Sequence, residues 1–318
     1  MSQPPIDETF RAILRAAVES DASDIHLKPG TSAMVRIEGE LVPVEAPVPT
    51  EGWLRVVLRS VIPQHLVAQF EQAHEADFAF THPELGRFRV NIFQQRGFPT
   101  IALRRVKQAE RDFADLNLPS QLGILAGRPR GIVIIGGATG SGKSTTLAAM
   151  VEHVNRSVRK HIITIEDPIE YIFTDKESVI EQREIGIDTA TYSSGLRHVL
   201  RQDPDVIVIG EMRDAESAHA AMSAANIGRL VFTTLHTSDA IHSVQRVLEF
   251  FPTTERDFAR RLFSETLAGV ACQRLVRSDE HGPLPASEIL INTPSIARLI
   301  AEDQLDKVRG ALELGGAD

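Results

Sequence analysis

The chain has 318 residues, of which 42% are hydrophobic and 24% charged, with 21 Gly and 17 Pro; this favours two globular domains with their own cores and excludes collagen, coiled coil and wholesale disorder. Lys+Arg of 34 against Asp+Glu of 43 gives a net charge of −9, which argues against a protein whose main task is gripping nucleic-acid phosphates. A lone cysteine, Cys272, excludes an internal disulfide and a multi-cysteine zinc site, and neither a membrane-spanning apolar run nor a leader pattern in MSQPPIDETF is present, so a cytoplasmic protein with no transmembrane segment is expected.

Residues 6–19 place Ile6, Phe10, Ile13, Leu14, Ala17 and Val18 on one side, with Arg11, Arg15 and Glu19 outside, which predicts an amphipathic helix. The alternating runs Ser23–Lys28, Ala33–Glu38 and Leu41–Glu45 then read as strands, with Glu38-Gly39-Glu40 as a hairpin turn. A helical stretch over 51–72, kinked at Pro63, precedes strands at Gly86–Gln94 and Pro99–Val106 that turn near Gly97. Together these predict a small α+β domain over residues 1–106. The polar stretch KQAERDFADLN, 107–117, reads as a linker to a second domain over 118–318. There the rhythm becomes strand, loop, helix. Strands are expected at Gly131–Ile135, His161–Ile165, Asp205–Ile209 and Leu230–Thr234. Helices are expected at Lys143–Val158, Asp214–Asn226, Asp239–Phe250 and Thr254–Arg274. Short apolar runs alternating with helices predict a parallel sheet in an α/β fold.

The run Gly137-Ala138-Thr139-Gly140-Ser141-Gly142-Lys143-Ser144-Thr145 carries G-x-x-x-x-G-K-[ST] at every fixed position. It follows an apolar strand and opens a helix, as the chemistry requires. Glycines let successive backbone N–H groups point at anionic oxygens, and the helix N-terminus adds positive potential. Lys143 is then placed for the β- and γ-phosphates of ATP and Ser144 for Mg²⁺. No N-K-x-D guanine motif and no LSGGQ-like signature occur, which argues against a GTPase and an ABC transporter ATPase.

Two acidic clusters and a histidine follow apolar strands. Asp205-Val-Ile-Val-Ile-Gly210-Glu211 ends in Gly where a Walker B strand usually ends in Asp, with the carboxylate one place later. Glu211 is therefore the candidate to hold Mg²⁺, directly or through water. Glu166, Asp167 and Glu170 crowd the segment after another strand. In a doubly wound sheet ligands bind at the carboxyl ends of strands, where a carboxylate orients or deprotonates an attacking water. His236 follows a third strand, placed to sense a γ-phosphate or bridge the acids.

Taken together these segments resemble the secretion-ATPase superfamily of type II and type IV secretion and pilus motors, most of all its PilT-type pilus-retraction ATPases. ASDIHL at 22–27 and RFRVN at 87–91 resemble the N-terminal motifs. Gly137–Thr145 resembles Walker A, ITIEDPIEY at 163–171 the Asp box, IVIGEMRD at 207–214 an atypical Walker B and TTLHTSDA at 233–240 the His box. The resemblance implies a PAS-like N-terminal domain, a RecA-like P-loop ATPase domain and a homohexameric ring that hydrolyses ATP. It implies Glu170 as catalytic glutamate, with Glu166 second, and Glu211 and His236 completing the site. It also implies N-terminal-domain arginines closing over the triphosphate, for which Arg87, Arg89, Arg96 and Arg104 are the candidates. A motor of this kind works peripherally at the inner membrane on a pilus platform protein. The single cysteine excludes the tetracysteine insert of extension and type II motors, which favours retraction, with a secretion or extension ATPase, or a non-hydrolysing nucleotide-dependent ring, as alternatives.

Overall fold

The computed structural model describes residues 6–278 and 282–313; the first five residues of MSQPPIDETF lie outside them. The chain divides into two compact units at Lys107/Gln108. In the first, helix α1 (Glu8–Glu19) begins where the Asp7 carboxylate accepts the Phe10 N–H at 3.1 Å, which satisfies one of the donors orphaned at a helix start. Its apolar stripe buries Phe10, Ile13, Leu14 and Ala17. Strands β1 (Asp24–Leu27), β2 (Met34–Ile37) and β3 (Glu40–Pro43), helices α2 (Glu51–Val61) and α3 (Val67–Ala73), and strands β4 (Glu75–His82), β5 (Gly86–Gln95) and β6 (Phe98–Gln108) follow. The strands run in the order β3-β2-β1-β6-β5-β4, antiparallel throughout. Ile25, Phe80, Phe88, Ile92 and Leu103 join α1 and α2 in one core, so one sheet face is buried and the other left polar.

The structure differs from the sequence expectation at two places here. The helix expected over 51–72 is broken, because Pro63 lacks the N–H that would continue the ladder and holds Ile62 extended at ψ 128°. Strand β4 was not expected, although it buries Ala76, Phe78, Phe80 and His82 in alternation. No Gly or Pro marks its start; His74 makes the turn itself, at φ 63°.

The second unit contains α4 (Gln121–Ala126), β7 (Gly131–Gly136), α5 (Lys143–Ser157), β8 (His161–Glu166), β9 (Tyr171–Ile172), β10 (Val179–Glu184) and α6 (Tyr192–Val199). It continues through β11 (Val206–Ile209), α7 (Ala215–Asn226), β12 (Leu230–Leu235), α8 (Ala240–Glu249), α9 (Arg256–Thr266), β13 (Leu267–Ser278), β14 (Gly282–Ile291), α10 (Pro294–Ala301) and α11 (Leu305–Glu313). The sheet order is β10-β8-β11-β12-β7-β13-β14, parallel except for the β13–β14 hairpin. Strand β7 shows why the run Ile132–Ile135 is continuously apolar. Ile132 and Ile134 pack into the layer of α7, α8 and α9, while Val133 and Ile135 pack into the layer of α4 and α5. Both faces are covered, as a parallel sheet requires.

The helix expected over Thr254–Arg274 ends at Thr266, and its second half is β13. LAGVAC is buried at every position, and an apolar run without periodicity does not distinguish a buried helix from a two-sided strand.

Candidate active site

The carboxyl ends of β7, β8, β11 and β12 converge on one cavity of about 640 Å³, lined by residues of the second unit. Thr139, Gly140, Gly142, Lys143, Ser144 and Thr145 form one wall. Glu166, at the end of β8, and Asp167, Glu170, Glu211, Arg213 and His236, on the loops after β8, β11 and β12, line the cavity as well. Gly137 and Ser141 are buried behind the loop surface and shape it, while Ala138 is exposed; none of the three lines the cavity. Gly137 and Gly142 take φ of 151° and 87°, and a Cβ on Gly137 would fall 2.3 Å from Ser141 Oγ and 2.6 Å from the Gln273 carbonyl. Only glycine fits there, because the Ser141 side chain and the Gln273 backbone both crowd the position and its φ is positive.

Lys143 shows what the loop is built to hold. Its Nζ donates to the carbonyls of Gly137 at 2.8 Å and Ala138 at 2.9 Å. Burial lowers its pKa, against the upward pull of Glu211 and Glu170. A half-desolvated ammonium held inside a glycine loop at a helix N-terminus is a site for a polyphosphate.

The acids are not equivalent. Glu166 accepts hydrogen bonds from Thr164 Oγ1 at 2.6 Å and Gln182 Nε2 at 3.1 Å. Burial raises its pKa in spite of them. Glu170 is exposed on the cavity wall, with its backbone N–H turned to Glu166. Both line the cavity; Glu170 is the exposed one, whereas Glu166 is tied to Thr164 and Gln182. Glu211 is a junction: Oε2 accepts from Arg213 at 2.8 Å and Oε1 lies 3.4 Å from His236 Nε2. Arg213 reaches on to Asp167 at 3.5 Å. A chain Asp167–Arg213–Glu211–His236 thus crosses the ends of three adjacent strands.

The donor set fits Mg²⁺ in a particular way. Among the described residues no group of three or more His, Cys, Asp or Glu is placed to hold a metal ion. Ser144 and Glu211 both reach the cavity, and Mg²⁺ commonly takes only one or two protein ligands, completing its octahedron with phosphate oxygens and water.

The candidate arginines belong to the first unit. Arg89 and Arg104 are cross-strand partners on β5 and β6, and Arg87 stands two residues from Arg89 on the same sheet face. Arg104 Nε donates to Asp24 at 2.8 Å. Arg96 stands apart from them in the β5–β6 turn, at φ 53°.

Sequence reasoning missed Arg213 and Gln273. Arg213 sits inside a motif already singled out, two residues past Glu211. Gln273, on β13, has no local signal; its Nε2 donates to the Ser141 carbonyl at 2.6 Å and its Oε1 accepts from Thr146 at 2.7 Å, so it braces the phosphate loop from a distant segment.

The family model "Type II/IV secretion system protein" matches residues 1–288. The chain belongs to that family of secretion-system ATPases. It is 37% identical over 305 residues to the type IV pilus retraction ATPase PilT of Pseudomonas aeruginosa, covering 96% of this chain and 89% of that protein. It is 39% identical over 285 residues to a twitching motility protein of Neisseria gonorrhoeae, covering 89% and 76%. Among solved structures, the pilus retraction motor PilT with bound ADP superposes with a TM-score of 0.88 at 40% identity, covering 95% of this chain and 88% of that one. The α/β fold is thus that of a P-loop ATPase that binds nucleotide. Among the described residues no helix is long and apolar enough to cross a membrane.

Proposed function

We propose that this chain is the subunit of a homohexameric motor that hydrolyses ATP to drive retraction of type IV pili. The observation that carries the reading is the pairing of an intact phosphate loop with an exposed Glu170 that lines the same cavity as Lys143, in a chain similar to PilT over nearly its whole length. The loop N–H groups and Lys143 bind the β- and γ-phosphates. Glu170 orients the attacking water and accepts its proton. His236 and Arg213 hold the Glu211 carboxylate in place, leaving it to meet Mg²⁺ through water, with Ser144 as the direct ligand. When bound, Mg²⁺ neutralises charge on the β- and γ-oxygens.

Arg104, exposed, and Arg87 and Arg89, half-buried on the same sheet face, suit a role in covering a triphosphate when units pack in a ring; Arg96 suits it less. The motor acts at the cytoplasmic face of the inner membrane on a pilus platform protein. The test is the deletion phenotype. Extra surface pili without twitching support retraction. Bald cells would point to an extension motor, and normal pili with failed export to a secretion ATPase.

A further inference from the structure

Strand β11 ends Val206-Ile-Val-Ile209 and then Gly210, so the position where P-loop enzymes usually place a carboxylate has no side chain. The structure supplies a physical reason. A Cβ on Gly210 would lie 3.1 Å from the Tyr192 hydroxyl, 3.3 Å from Glu166 Cα and 3.3 Å from the Ile165 carbonyl. The space is taken by a phenol that reaches in from the first turn of α6. The Tyr192 ring packs against the core of the α7–α8 layer, while the residue lines the nucleotide cavity. Helix α6 is fixed at that end, because Thr191 Oγ1 accepts the Ser194 N–H at 3.1 Å.

We infer that Tyr192 is a further residue of the ATPase site, its hydroxyl donating a hydrogen bond at the γ-phosphoryl end of the bound nucleotide from the place left open by Gly210. This rests on the ATPase reading of the cavity. The chemistry favours a hydroxyl over a third carboxylate at this spot. Glu166, Asp167 and Glu211 already surround it, and a further anion would repel the phosphoryl oxygens, whereas a neutral O–H donates to them. Burial, with Asp167 adding to it, raises the phenol's pKa far above the working range, so the donor keeps its proton. A donor aimed where charge develops acts on turnover more than on ground-state binding.

Tyr192→Phe keeps the ring and its packing and removes only the hydroxyl. The purified full chain is assayed for ATP hydrolysis with Mg²⁺, beside wild type, Gly210→Ala and the double variant. Loss of one hydrogen bond to a charged group predicts a fall in kcat of about ten- to a hundredfold, with KM within about threefold and kcat/KM falling in step. Gly210→Ala should lower kcat by displacing the hydroxyl, and should lower it little further in the Tyr192→Phe background, where there is no hydroxyl to displace. Wild-type kcat in Tyr192→Phe overturns the inference. So does a raised KM at constant kcat, or losses that multiply in the double variant. A wild-type chain that does not hydrolyse ATP would instead count against the ATPase reading itself.

Discussion

Glu152 lies in the middle of the phosphate-loop helix α5 and is only 1% exposed. Its Oε1 accepts from Arg156 Nε at 2.6 Å and pairs with Lys176, and its Oε2 accepts from Asn155 Nδ2 at 2.9 Å. Asn155 in turn donates to the Thr174 carbonyl at 2.9 Å, and Arg156 donates to the Glu110 carbonyl at 2.6 Å. One carboxylate therefore ties α5 to the segment before β10 and to the start of the second unit. Removing one partner of a buried ion pair costs ~3–5 kcal/mol. Arg156 and Lys176 keep side-chain exposures of 41% and 37%, so both regain water when the acid is gone, and Glu152→Ala should cost ~2–3 kcal/mol. At ~2–4 °C per kcal/mol for a unit of this size, the melting temperature should fall by ~5–10 °C. Glu152→Gln keeps an acceptor for Asn155 and should cost about half as much. Burial alone would raise the Glu152 pKa, but the hydrogen bonds from Lys176, Asn155 and Arg156 outweigh it and hold the pKa below its ordinary 4.5. The stabilisation is therefore full above the ordinary carboxylate range and is lost as pH falls through the depressed folded value. Scanning calorimetry, following the transition that ATP raises, measures it at pH 7 and pH 3.5. A Glu152→Ala shift under about 1 °C at pH 7, or a gap between wild type and variant that does not narrow on acidification, would refute the reasoning.

The site makes three further predictions. Lys143→Ala should abolish ATP hydrolysis while circular dichroism stays unchanged, since the ammonium donates its hydrogen bonds to loop carbonyls; near-wild-type turnover would remove the loop from catalysis. Glu170→Gln should leave nucleotide bound and unhydrolysed, whereas Glu166→Gln should lower thermal stability more than turnover, and a reversal of the two would exchange their roles. Gln273→Ala strips both braces from the phosphate loop and should weaken nucleotide binding by about tenfold, read by titration of a fluorescent ATP analogue; unchanged affinity would mean the loop holds its shape unaided.

The parts of this molecule legible in the sequence are those whose physics is local. The phosphate loop is a nine-residue device whose glycines, lysine and hydroxyls act within a single turn of chain, so its motif carries its function. Glu211 and His236 were legible because apolar strands point their carboxyl ends at a common edge. The Tyr192 hydroxyl against Gly210 and the Gln273 brace arise only when distant segments meet, and no local pattern encodes them. Strand β10, VIEQRE, has an exposed Val179 and mixes charges with apolar residues, because it is the sheet's edge and packs little. Glu152 reads in sequence as an ordinary charged residue of a surface helix; its burial follows from the chain that folds across it.

The placement of the charge chain bears on how hydrolysis could become motion. A ligand shifts a conformational equilibrium only through contacts that differ between the two states, and ATP differs from ADP and phosphate only at its γ-phosphoryl end. The groups we propose to face that end include Glu170, Glu211 and His236, which line the cavity on loops leaving β8, β11 and β12. Two of those loops are short and run straight into capped helices. Asp214, next to Arg213, accepts the Ser217 N–H at 2.8 Å to start α7. Asp239, three residues past His236, accepts the His242 N–H at 2.9 Å to start α8. Helix caps resist independent movement of the first turn, so a displacement of Glu211 or His236 is passed to α7 and α8 as rigid bodies rather than absorbed in slack loop. Those helices pack with α9, α10 and α11 in one continuous core. The residues proposed to read the phosphate and the helices that would carry force are thus separated by three residues or fewer on each strand, and the 3.4 Å contact between His236 and Glu211 links the two strands.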